Sequence, residues 1–125
     1  MKRTLLEIYC LVVSFFALAM LIMFLGKTLN SLYYYADPLA GFDPIQLEHY
    51  ESNEKYFSTF MLPEGVDIDS EFATALRQDS FNAEKKLNAN RALYDFRYWI
   101  IFLLITLPVY LIHWKIARNL HAKNT

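Results

Sequence analysis

Nineteen consecutive residues, Ile8 to Gly26 (IYCLVVSFFALAMLIMFLG), carry no charge. As a helix rising about 1.5 Å per residue they reach roughly 28 Å, close to the ~30 Å hydrocarbon core of a bilayer. A soluble helix of that length keeps a polar face, because one side meets water. Here Ser14 is the one clearly polar residue, and a helix absorbs a serine hydroxyl by bonding it to the carbonyl one turn back. Eleven of the nineteen are Leu, Ile, Val or Phe. At roughly −0.3 to −0.6 kcal/mol each in mid-helix, insertion is favoured by about 3 to 7 kcal/mol. The stretch is therefore expected to cross a membrane.

A second run, Tyr98 to Trp114 (YWIIFLLITLPVYLIHW), has seventeen residues without a fixed charge. It spans roughly 26 Å, enough with slight bilayer thinning. Pro108 removes one backbone hydrogen bond and predicts a kink near Leu104, which membrane helices tolerate where neighbours satisfy the freed carbonyl. Tyr98 and Trp99 at one end, with His113 and Trp114 at the other, have the character of interfacial anchors. Hydrophobic residues make up 55% of the 125-residue chain, above the ~45–50% of soluble domains, and the excess sits in these two runs. Lys2 and Arg3 with Ala17-Leu18-Ala19 also fit a signal peptide. The apolar run continues through Met20 to Leu25, however, so an uncleaved anchor is expected.

Basic residues predict the threading. Lys2 and Arg3 flank the first run against Glu7; Lys115, Arg118 and Lys123 follow the second without an acid. From Lys27 to Arg97, seven Lys/Arg stand against twelve Asp/Glu, net −5. Short positive flanks stay on the cytoplasmic side. Both termini are therefore expected inside a cytoplasmic (inner) membrane, with about 27–97 periplasmic or otherwise extracytoplasmic. The expected fold is an all-α transmembrane hairpin with a helical outer segment.

The middle segment is too long for a simple connector. Residues 1–35 form the inner flank, the first span and its outer extension. Tyr33, Tyr34 and Tyr35 are expected at the outer headgroups, where tyrosine presents an apolar ring and a polar tip. Asp37-Pro38 and Ala40-Gly41 break the helix. Within the loop 36–68, Asp43-Pro44 is a helix start, and the spacing predicts an amphipathic helix over about 44–61. Pro63-Glu64-Gly65 stops it. No Gly or Pro occurs from Val66 to Leu107. One long helix is expected over 69–119, its start at Asp69 or Ser70, with the second span at 98–114 and a tail at 120–125. At 100° per residue Phe72, Leu76, Ala83, Leu87 and Tyr94 share one narrow stripe, suited to packing against a single helix. Asp79 and Asn90 interrupt it, and Phe81 points the other way.

Candidate sites are few. Glu7, His113, Lys115 and Arg118 should gather at the cytoplasmic end of the hairpin. There Glu7 either serves a proton or ligand site or, as the blander reading has it, snorkels and pairs with Lys115 or Arg118. Glu48, His49, Glu51 and Glu54 do not converge as metal ligands at helical spacing and read as a solvated face. The aromatic excess around Tyr33, Tyr34, Tyr35, Tyr56 and Phe60 fits either a lipid or partner surface or an intrachain core. Phe81, Trp99 and Pro108 complete the candidate contact positions. Cys10 is the sole cysteine, which excludes an intrachain disulfide. Nucleotide-binding, metalloprotease and serine-hydrolase motifs are absent, as is a basic patch with interleaved aromatics. No catalytic, metal or cofactor site is expected, and no nucleic acid.

In plan the chain is similar to large-conductance mechanosensitive channels: two spans, both termini inside, an external loop. It departs from them in a first helix rich in Phe, Leu and Met, where a close-packed pore helix wants small residues. The expected function is an auxiliary subunit, not an enzyme, that contacts lipid and docks onto a larger membrane protein. The alternatives are a homo-oligomeric pore, which needs a small or polar stripe for which Ser14, Ala17, Thr106 and Tyr110 are too few and too scattered, and a sensor that binds ligand through its outer helices.

Overall fold

The computed structural model describes residues 4–123. Lys2, Arg3 and Thr125, used above in reading the two flanks and the tail, lie outside the described residues. The described residues are 85% helical and include no strand. Helix α1 spans Leu5–Ala36, a 3₁₀ turn Pro38–Gly41, α2 Pro44–His49, α3 Asn53–Thr59 and α4 Glu71–Lys123.

Local chemistry sets each boundary. The Thr4 hydroxyl accepts from the Glu7 N–H at 3.2 Å and opens α1. Pro38 disfavours helical geometry at Asp37 and ends it. Asp43 caps α2 in a capping box with Gln46, and Pro44 takes the first helical position. Ser70 caps α4, its hydroxyl accepting from the Ala73 N–H at 3.1 Å. Before it, Gly65 adopts φ +81° in the turn closed by the Val66 N–H on the Pro63 carbonyl, a conformation that favours glycine.

The expected helix over 44–61 is two helices. Ser52 is extended and its hydroxyl accepts from the Lys55 N–H, starting α3 afresh. The cause lies in α4. In a continuous helix the Tyr50 carbonyl would accept from the Glu54 N–H. Instead it accepts from the Arg77 guanidinium, whose Nε also donates to Asn53 Oδ1 at 2.9 Å. Helix α4 is continuous over 53 residues, with Pro108 inside it. It runs to Lys123, so residues 120–123, expected as a tail, are helical.

The chain divides into two compact units. One joins α1 as far as Ser31 to α4 from Tyr94, and the other comprises Leu32–Leu93. In the first unit the buried residues of α1 are Glu7, Cys10, Ser14, Ala17, Phe24, Thr28 and Ser31. With half-buried Leu21 they step by three and four, the spacing of a helix–helix seam. On α4 the half-buried or buried Trp99, Leu103, Thr106, Tyr110, His113 and Ala117 step the same way. Contacts run in opposite order along the two helices. Phe24 lies against Trp99 and Phe102, at ring distances of 5.9 and 5.3 Å, Tyr9 against His113, and Glu7 against His121. The hydroxyls of Ser14, Thr28 and Ser31 donate to carbonyls one turn back at 2.7 to 2.9 Å, so these three are satisfied within α1.

The second unit has an aromatic centre. Phe42 and Tyr56 are each 7% exposed. Phe81 of α4 lies 5.7 Å from the Phe42 ring and 5.2 Å from Tyr50. The Tyr56 hydroxyl donates to Ser80 Oγ at 2.6 Å. Ala73 is fully buried, and its small side chain permits close approach. Asn53 Nδ2 donates to the Ile68 carbonyl and to Thr74 Oγ1. The unit thus packs against the Ala73–Arg77–Phe81 face of α4. The stripe that the spacing marked for packing, Phe72, Leu76, Ala83 and Leu87, lies on the other side, with Phe72 56% and Leu87 41% exposed.

Candidate functional site

Of the residues expected to gather at one end of the helix pair, Glu7 and Arg118 line one cavity. Glu7 opens the buried stripe of α1 and is 1% exposed. Its Oε1 accepts from His121 Nδ1 at 3.1 Å. His121 is thus one partner of Glu7 that the expectation of Lys115 or Arg118 did not include, and the carboxyl group is packed in the seam, where snorkelling would have taken it to water. A buried carboxylate is costly unless hydrogen-bonded, and His121 supplies such a bond. The two groups border a cavity of about 200 Å³ with Leu11, Trp114, Ala117 and Arg118. Lys115 is exposed and does not line it. His113 faces the Tyr9 ring at 6.1 Å and its Nδ1 donates to the Val109 carbonyl at 2.8 Å. His121 stands one turn beyond Ala117, which is buried on the packed face of α4.

The aromatic candidates part into two groups. Tyr56 and Phe81 belong to the centre of the second unit, and Trp99 is half-buried on Phe24. Each offers a partner little free area. Tyr33, Tyr35 and Phe60 are 57%, 47% and 45% exposed, Tyr34 is half-buried, and Pro108 is exposed. The tyrosine rings of Tyr33 and Tyr34 meet edge to face at 5.5 Å.

The acidic face of α2 and α3 is held by one cation. Lys55 Nζ donates to Glu48 at 2.9 Å and to Glu51 at 2.8 Å. The hydrogen bonds that Lys55 donates to Glu51 and then to Glu48 push its ammonium above the usual lysine value. The bond from Lys55, followed by its charge, holds the Glu48 carboxyl below the usual range. Burial, then the nearby Glu84 charge, raises the Tyr50 phenol. Among the described residues no group of three or more His, Cys, Asp or Glu is placed to hold a metal.

Both α1 and α4 are long and apolar enough to cross a membrane. Only 22% of the most apolar window of α1, and 11% of that of α4, is buried. Across the first unit Phe15, Ile22, Leu104 and Ile105 are at least 60% exposed. An apolar groove of about 320 Å³ opens between Val12, Phe16, Ala17 and Met20 of α1 and Ile105, Thr106 and Val109 of α4. No protein-family model, curated protein or solved structure matches the chain.

Proposed function

We propose that the chain is a two-span membrane protein with both termini on the cytoplasmic side and residues about 27–97 outside. In this reading it is a small auxiliary subunit that docks onto a larger membrane protein to stabilise or modulate it. One observation carries the membrane reading: on α1 the buried positions are small or polar apart from Phe24, while most large apolar residues of both helices face outward. A soluble core helix has the reverse arrangement, because exposing that much apolar surface to water is unfavourable. Lipid removes the penalty, and close approach of small residues supplies the packing.

The docking role is supported by the contact area that the exposed apolar surface offers. The pore alternative loses support from the seam. Ser14 and Ala17 are buried, and Thr106 and Tyr110 half-buried, on the faces that α1 and α4 turn to each other. They are used within one chain and are not presented to further copies. The test is mild-detergent purification through a C-terminal tag from native membranes. Co-purification of a larger membrane protein in fixed ratio is expected. Recovery of the chain alone, as a folded monomer, overturns the proposal.

A further inference from the structure

Two pockets flank Tyr50 in the second unit, alike in size and different in charge. One, of about 290 Å³, is lined by Tyr50, Leu47, Glu51, Gln78, Phe81 and the Arg77 side chain. The other, of about 280 Å³, is lined by Phe42, Gln46, His49, Tyr50, Phe60 and Glu84. Both lie near the ~300 Å³ lower bound of small-ligand sites.

The second of these sets three aromatic rings beside one carboxylate. Phe42 and Tyr50 meet edge to face, 6.5 Å apart and 85° between planes, and Phe60 adds a third ring that is 45% exposed. Glu84 stands three residues after Phe81, so it continues the Ala73–Arg77–Phe81 face of α4 that the aromatic centre packs on. It is half-buried, and no described residue hydrogen-bonds or ion-pairs with its side chain. Burial and then the Glu84 charge raise the Tyr50 phenol, which agrees with a carboxylate close to that ring. Gln46 Oε1 is already engaged, accepting from the Asp43 N–H at 3.2 Å. His49, as a neutral ring, brings no opposing charge.

Aromatic faces attract a cation, and the more so where water is displaced. A divalent metal is a poor occupant, because it takes six or more oxygens and a single carboxylate lines the pocket. A primary ammonium has three N–H donors to satisfy. A quaternary ammonium has none and presents methyl groups to the rings. In the neighbouring pocket the Arg77 guanidinium repels any cation. We propose that the pocket between Phe42, Tyr50, Phe60 and Glu84 binds a quaternary ammonium group of the choline class, with the rings against its methyl groups and the Glu84 carboxylate as counter-ion. The proposal goes beyond the docking reading and stands whether or not the chain docks on a larger protein. A free solute and a lipid headgroup both carry this chemistry, and the test separates them.

The test is calorimetric titration of the full-length chain, held in phosphatidylglycerol nanodiscs, with choline chloride. Saturable binding is expected. The neutral isostere of choline, in which a tert-butyl group replaces trimethylammonium, should bind about tenfold more weakly or worse. Glu84→Gln and Phe60→Leu should each weaken choline about threefold or more. Phe60→Trp should bind at least as tightly as wild type, because tryptophan offers a cation the best face. Circular dichroism checks that each variant folds, and the comparison of choline with its isostere needs no variant. Phosphatidylcholine nanodiscs separate the two sources, and both outcomes keep the site: choline binding lost there means that the lipid headgroup fills the pocket, and binding unchanged there means that a free solute is the ligand. Absence of saturable binding in phosphatidylglycerol nanodiscs overturns the proposal. So does equal binding of the isostere, or choline binding indifferent to both Glu84→Gln and Phe60→Leu.

Discussion

The two units of this chain solve packing in opposite senses. In the first, Glu7, Cys10, Ser14, Ala17 and Thr28 are buried while Phe15, Phe16 and Ile22 face outward. In the second, Phe42 and Tyr56 are buried, with Phe81 packed against Phe42, while Glu48, Glu51 and Lys55 are exposed. The helical backbone is common to both; the surroundings each side chain prefers are not. Where water is the solvent, burial of large apolar groups drives packing. In lipid that drive between helices vanishes, and small residues with self-satisfied hydroxyls make the tighter seam. The contrast is the one expected if lipid surrounds the first unit and water the second, as proposed above.

The sharpest way to break the contrast is a pair of Phe→Ala substitutions. Phe81→Ala removes a ring packed on Phe42 and Tyr50 and should destabilise the second unit by about 3 kcal/mol. Phe15→Ala removes a ring that is 69% exposed. If lipid surrounds it, the site refills with acyl chain and the loss should stay below about 1 kcal/mol. Denaturant or thermal unfolding in lipid nanodiscs, with unit-specific protease cleavage as readout, measures both. Equal costs would mean that the two units do not differ in solvent.

Arg77→Ala comes next. It leaves Asn53 Oδ1 without its 2.9 Å donor and frees the Tyr50 carbonyl. Unpaired partners of this kind cost about 1–3 kcal/mol. Hydrogen exchange should quicken at the α2–α3 break while the first unit stays protected. If exchange there is unchanged, Arg77 does not hold the break.

The break also marks where legibility ended. Both apolar runs and the uninterrupted course of α4 follow from local facts: no charge over Ile8–Gly26, and no Gly or Pro from Val66 to Leu107. The division of 44–61 has one local mark, the Ser52 cap, while its tie to Arg77, more than twenty residues away, leaves no record in local propensity. The packed face of α4 was missed for a related reason. Apolar periodicity favoured Phe72, Leu76 and Leu87, while the fold uses Ala73 for close approach, Arg77 for hydrogen bonds and Phe81 for bulk. The seam of α1 was legible and overlooked. Glu7, Cys10, Ser14 and Ala17 step by three and four, but a search for apolar stripes passes over a stripe that is polar and small. His121 was hidden likewise, because its tie to Glu7 follows only once the two helices are paired.

The smallest effect concerns the charged exterior of the second unit. Glu48 is held below its ordinary range by Lys55, so the folded state keeps the carboxylate ionised where the unfolded chain would take up a proton. That contribution is present above the ordinary glutamate value and lost as pH falls through the lowered, folded-state value. Lys55 has the opposite sense. Its raised value gives stability that is present below the ordinary lysine value and lost as pH rises through the folded-state one. Both groups are solvent-exposed, so salt should screen the effect. Lys55→Met should therefore flatten the acid limb of the second unit's stability curve, and wild type in high salt should approach the variant. The first unit, whose stability is assigned to lipid and to its seam, should not respond. An acid limb that steepens in the variant would show that Lys55 does not stabilise the Glu48 carboxylate. A response confined to the first unit would remove the distinction between the two on which the comparison stands.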